Sequence, residues 1–157
     1  MKNLLNTELP KRFTDAVSKL YNAFHSGKLQ LTDCKKCAVG NICNNSDKWF
    51  LPIRSTNFKT YSMVSNPLKE NEFVDMPYSI LKFGYSAFEL AQIEHKFAKA
   101  MVGDNEKSKS NQFKGLCVVV EYLCELDNIP NIMDIQSLFE FENDQPKKQL
   151  SEVLILN

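Results

Sequence analysis

The sequence predicts a mainly α fold, a single small helical domain of three to four helices spanning residues 1–157 with an irregular, partly stranded middle segment. Three observations predict it. Apolar side chains recur every three or four residues in separate stretches, the spacing of one helical face. A helix start with its own side-chain caps is written at Ser86-Ala87-Phe88-Glu89. No Pro-, Gly- or Ser-rich linker divides the chain, and 43% hydrophobic residues over 157 positions suffice for one core without a covalent staple.

The first helix is expected from about Pro10 to Ser26, where Phe13, Ala16, Val17, Leu20, Tyr21 and Phe24 share a face and Gly27 supplies the stop. A Cys-containing loop follows over 34–43. Between Asn44 and Lys82, the residues Trp49, Phe50, Leu51, Tyr61, Met63 and Val64 are interrupted by Pro52 and Pro67, which predicts an irregular segment with short β pieces covering the helices.

The helical part is expected over 86–141. Ser86 and Glu89 form a capping box, with Tyr85 and Leu90 at the hydrophobic staple positions around it. Leu90, Ile93, Phe97 and Met101 continue the stripe to Gly103, and a polar loop runs to Asn111. A third helix from about Asn111 to Glu125 carries Phe113, Leu116, Val120, Leu123 and Cys124, and is broken at Asn128-Ile129-Pro130-Asn131. Asp134 is placed to cap a short fourth helix with Ile135, Leu138 and Phe139, while Glu152–Leu156 is too short to separate strand from helix.

Charge and composition narrow the function classes. Nineteen basic residues balance nineteen acidic ones, so no cationic surplus attracts nucleic acid or an anionic membrane. The start of the chain has no apolar run of signal-peptide length and no stretch approaches the ~20 apolar residues of a membrane helix, so a cytoplasmic protein is expected. There is no glycine-rich phosphate loop, no G-x-S-x-G elbow and no H-E-x-x-H, so the chain leans away from an enzyme. Glu89, Glu94, Glu121, Glu125 and Asp127 fall at the spacing of a solvated helix face and are assigned no acid–base role.

Chemistry concentrates in His25 to Cys43. In a reducing cytosol, Cys34-Lys35-Lys36-Cys37 reads as a metal-binding turn, a redox dithiol or two buried thiols before it reads as a disulfide. Tetrahedral zinc needs four ligands. Cys117 and Cys124 would lie about 10 Å apart on one helix, whereas thiolates on one zinc are under ~4 Å apart, so only one of them can join. The predicted set is Cys34, Cys37 and Cys124 with His25, or Cys43 in its place, holding a structural zinc in a small metal-binding accessory or interaction protein. An iron–sulfur electron carrier is the alternative. A dithiol activated by Lys35 and Lys36 is a further one, against which the missing βαβ pattern counts. A metal-free module that meets a protein partner through aromatics such as Trp49, Phe50, Tyr61 and Tyr78 is another.

Several blocks also carry a resemblance: Lys19 to His25, Cys34 to Ile42, Phe83 to Ser86 with Glu89-Leu90 and Ile93-Glu94, and Glu121 to Cys124 through Ile129-Pro130-Asn131 to Phe139–Pro146. Over about half the chain they resemble a family of short Bacteroidetes proteins labelled as the F component of the Na(+)-translocating NADH-quinone reductase. The resemblance implies that His25, Cys34, Cys37 and Cys124 fill positions where the family also has His and Cys, whereas Cys43 and Cys117 are particular to this chain. It implies a link to NADH-quinone redox chemistry, although the plant-type four-Cys spacing and membrane span of a reductase of that name are missing from these residues. Residues 47–82 depart from the family pattern.

Overall fold

The structure, a computed structural model, describes residues 9–54, 73–101, 107–130 and 134–141. Among them the chain is helical and has no strand. Three long helices carry the body: α1 (Lys11–Ser26), α5 (Ala87–Met101) and α6 (Lys109–Leu126). Four short ones fill between and beyond them: α2 (Ala38–Ile42), α3 (Phe50–Arg54), α4 (Tyr78–Leu81) and α7 (Ile135–Leu138).

The mainly helical expectation therefore holds. The partly stranded middle does not, as far as it is described: residues 44–54 and 73–82 contain α3 and α4 and no strand. Pro52 lies within α3, and Pro77, with φ −66° and ψ 150°, is the residue from which α4 starts. Residues 55–72 with Tyr61, the loop around Gly103 and the terminal 152–156 lie outside the described residues.

Local signals behave as their chemistry dictates. The N–H of Glu89 donates to Ser86 Oγ at 3.1 Å and the N–H of Ser86 to Glu89 Oε1 at 2.9 Å, so the capping box is closed in both directions. Tyr85 and Leu90 are both buried beside it. Asp134 caps α7, its Oδ1 accepting from Ser137 N at 3.3 Å. Gly27, at φ 72°, ends α1 while Lys28 N donates back to Ala23 O at 2.9 Å. The third long helix starts two residues earlier than the stripe suggests, because Ser108 supplies its cap to Asn111 N.

The apolar stripes decide how the helices meet. α1 buries Phe13, Ala16, Val17, Leu20, Ala23 and Phe24, and packs on α2 and α6. α5 lies along α6 in the most extensive of the helix contacts. The ring of Phe97, late in α5, lies over Gly115, early in α6, and the start of α5 meets the end of α6 through Arg12, so the pair is antiparallel.

Arg12 ties three helix ends together. Its Nη2 donates to Asp127 Oδ1 at 2.7 Å and its Nε at 2.9 Å, a forked pair; Nη1 donates to Gly84 O at 2.7 Å and lies 3.6 Å from Glu89 Oε1. The guanidinium also stacks over the Tyr85 ring at 4.7 Å. Asp127, expected on a solvated face, has a side chain only 9% exposed and is neutralised by this contact. Arg12→Ala leaves that carboxylate desolvated without its partner and is expected to cost about 2–3 kcal/mol, read as a lower urea midpoint at unchanged slope. Arg12→Lys should recover only part of this loss, because an ammonium cannot make the fork and the stack together.

Candidate functional site

The Cys34–Cys37 turn is held mainly through its carbonyls, with the Cys37 thiol donating to Cys34 O at 3.6 Å. Asp33 O accepts from Lys36 N at 2.8 Å and Cys37 N at 2.7 Å; Cys34 O accepts from the Trp49 indole N–H at 2.9 Å. Lys35 O accepts from Asn45 Nδ2 at 3.1 Å, and Lys36 O from Gln30 N and Asn41 Nδ2, each at 2.8 Å. Cys37 is the N-cap of α2, with its Sγ accepting from Gly40 N at 3.3 Å. The two-residue spacing thus makes a tight turn, as expected, but one whose carbonyls are engaged by nearby side chains and main chain.

Glu94 closes this cluster from α5. It is 4% exposed and its Oε1 accepts from Val39 N at 3.1 Å, satisfying a free donor at the first turn of α2. Burial pushes its carboxyl up to about 7, against the pull of the Val39 N–H, the Cys37 side chain and the Ala38 N–H, which favour the ionised form. Its assignment to a solvated face is therefore corrected. The signal was present in the sequence: position 94 follows Leu90 by four and precedes Phe97 by three, so it falls within the apolar stripe.

The predicted metal site is not formed. Among the described residues no group of three or more His, Cys, Asp or Glu is placed to hold a metal ion. Helix geometry shows why Cys124 and His25 cannot share a site with each other, and so why the set Cys34, Cys37, Cys124 and His25 does not converge. Arg12 sits against Leu126 and Asp127 at the end of α6, close to Cys124. His25 lies thirteen residues further along α1, about 20 Å away at the α-helical rise, whereas ligands of one zinc lie within ~4 Å of one another. Its Nε2 instead meets Phe139 O at 2.5 Å, and its ring packs on Tyr21 with centroids 4.5 Å apart, holding the 139–141 turn on α1. Cys124 is buried in the core among the apolar side chains of α6.

The thiols also lack the electrostatics of nucleophiles. All five cysteines are free. Burial pushes Cys34 up to about 11, helped by the negative charges of Glu94, Asp33 and Asp47, and raises Cys37 well above its ordinary value. The same cause takes Cys117 to about 11 and Cys43 to about 12. Lys35 and Lys36 are exposed and do not offset it.

What the surface does present is apolar side chains on α3, before α4 and on α4, and a basic groove beside α4. Phe73 is 86% exposed and Tyr78 78%, with Leu51 and Leu81 also in water. Trp49 and Phe50, expected with Tyr78 as partner anchors, are buried and stack edge-on at 5.4 Å, so they belong to the core. Beside α4 runs a groove of about 470 Å³ between the first half of α1, the end of α2 and the turn after α4. Lys11, Lys19, Lys82 and Phe83 line it. Lys19 Nζ donates to Ile42 O at 2.9 Å and lies 4.3 Å from the Phe83 ring centre; Lys82 approaches the same ring at 5.3 Å. Burial draws Lys19 below its ordinary pKa, the mark of a cation partly withdrawn from water.

No helix among the described residues is long and apolar enough to cross a membrane. No family model matches the chain, and no curated protein or solved structure matches it.

Proposed function

We propose that this chain is an interaction domain that docks a protein partner through the apolar side chains around α4, with no resident metal in its Cys-containing loop. The observation that carries the reading is the exposure of Phe73 and Tyr78, at 86% and 78%, on a body that buries Phe13, Phe24, Trp49, Tyr85, Phe97 and Phe139 almost completely. A Phe ring left in water forgoes about 2–3 kcal/mol of burial, which a partner surface recovers. A few exposed aromatic anchors supply most of the energy of many protein interfaces. The raised thiols of Cys34 and Cys37 speak against a reactive dithiol.

The blocks that resemble the Bacteroidetes proteins leave out Phe73 and Tyr78 and are read as belonging to the fold. Gly40, Glu94, His25 and Phe139 within them make the contacts that close the core, so the shared pattern is read as a signature of the fold.

The test is the double variant Phe73→Ser, Tyr78→Ser. Its thermal midpoint should stay within about 2 °C of the parent, because both side chains are exposed. Quantitative affinity capture from cells of the source organism should retrieve a protein in near-stoichiometric amount with the parent and lose it with the variant. Equal capture by both, or a midpoint that drops as for a core aromatic, would remove the reading.

A further inference from the structure

We infer that the groove beside α4 accepts an acidic segment of a protein partner that also carries an apolar side chain; the inference rests on the interaction-domain reading and names the chemistry of its partner. Three lysines, Lys11, Lys19 and Lys82, line the groove, against one carboxylate, Asp15. Asp15 is already paired with Lys11, and the charge of Arg12 is met by Asp127 and Glu89. Neither Lys82 nor Lys19 forms an ion pair among the described residues; Lys19 holds a backbone carbonyl and an aromatic face, with Asp15 near enough to act on its charge. The groove is therefore cationic within a chain whose net charge is zero.

Its floor identifies the class of anion. Phe83 lies under both ammonium groups, and a ring flanked by two cations suits a ligand that brings carboxylates to the lysines and hydrocarbon to the ring. The groove is also continuous with the exposed apolar face. Tyr78 and Lys82 are four residues apart, with Lys82 N donating to Tyr78 O at 2.9 Å, so both project from the same side of the turn. One peptide crossing α4 can thus place an apolar side chain at Tyr78 and Leu81 and acidic ones at Lys82, Lys19 and Lys11. A nucleic acid fits less well, because a balanced charge provides no long-range field toward a polyphosphate and the adjoining surface is hydrocarbon.

Fluorescence anisotropy of the full chain with a labelled peptide alternating Glu and Asp with Phe and Leu tests this. Binding should be present, weaken as salt is raised, and be absent for the peptide with Gln and Asn in place of the acids. Lys82→Glu should weaken it by about tenfold or more through reversed charge, whereas Lys82→Arg should bind like the parent. Lys82 is exposed, so an unchanged circular dichroism melt confirms that the variants fold. No binding of the acidic peptide, equal binding by parent and Lys82→Glu, or equal displacement by oligothymidine of the same charge would each overturn the inference. If the peptide fails while Phe73→Ser, Tyr78→Ser still loses its captured protein, the groove assignment falls and the interaction domain stands; if both fail, both fall.

Discussion

Gly40→Ala is expected to destabilise the protein by about 3 kcal/mol, lowering the thermal midpoint by about 10 °C. A β-carbon at position 40 would lie 2.4 Å from Cys34 O, 2.5 Å from Lys35 C and 2.6 Å from Lys35 O. All three are backbone atoms, so no side chain can swing aside. The turn cannot retreat cheaply either, since the Trp49 indole holds Cys34 O and Asn45 holds Lys35 O. Gly40 is itself fixed on both sides, its N–H on Cys37 Sγ at 3.3 Å and its carbonyl accepting from Asn45 N at 2.7 Å. Urea denaturation of Gly40→Ala beside Cys37→Ser separates the two claims. The serine keeps an acceptor at the N-cap and should cost much less than the alanine. A Gly40→Ala midpoint equal to the parent's would show that α2 does not approach the Cys34–Cys37 turn this closely.

The second large effect is a pH dependence that belongs to one side chain. Glu94 titrates at about 7 in the folded chain against an ordinary 4.5, because burial disfavours its charged form. Between those values the unfolded chain has released the proton and the folded chain retains it, so protons favour folding. The contribution is fully present below pH 4.5 and is lost as the pH rises through about 7. At about 1.4 kcal/mol per pH unit it amounts to roughly 3 kcal/mol. Glu94→Gln keeps an oxygen for Val39 N and cannot ionise, so its stability should lack this fall. Stability curves of parent and variant, determined at intervals from pH 4 to 9, should therefore diverge between about pH 4.5 and 7, the parent declining relative to the variant, and keep a constant gap above that. Curves that run parallel throughout would mean that the carboxyl is not desolvated in the native state.

Features whose hydrogen bonds close within a few residues were legible before any coordinates. Ser86 with Glu89, Asp134 with Ser137 and the Gly27 stop after α1 are short-range chemistry, and the expected helix ends fall where that chemistry places them. The helical stripes were legible for a related reason: a period of 3.6 residues repeats often enough over fifteen or more positions to be unambiguous. α3 and α4, at five and four residues, complete too few turns to carry a period, so the middle segment read as partly stranded, and α2, at five, read as part of the Cys-containing loop. Glu94 was misplaced because its residue type outweighed its position in the stripe. Cys34 and Cys37 suggested a metal because sulfur spacing carries that chemistry in other proteins, whereas here the same spacing serves a turn whose carbonyls make the contacts.

The sequence by itself therefore determined the helical class, the three long helices and the caps at Ser86, Asp134 and Gly27, since each follows from contacts between residues close along the chain. Only the tertiary structure decided that His25 and Cys124 stand at far ends of the α1–α6 pair, that the buried Glu94 meets the first turn of α2, and that Lys11, Lys19 and Lys82 line one groove. Those outcomes depend on which faces of α1, α5 and α6 meet. That choice is made by many weak packing contacts between residues far apart in sequence, and no local pattern records it.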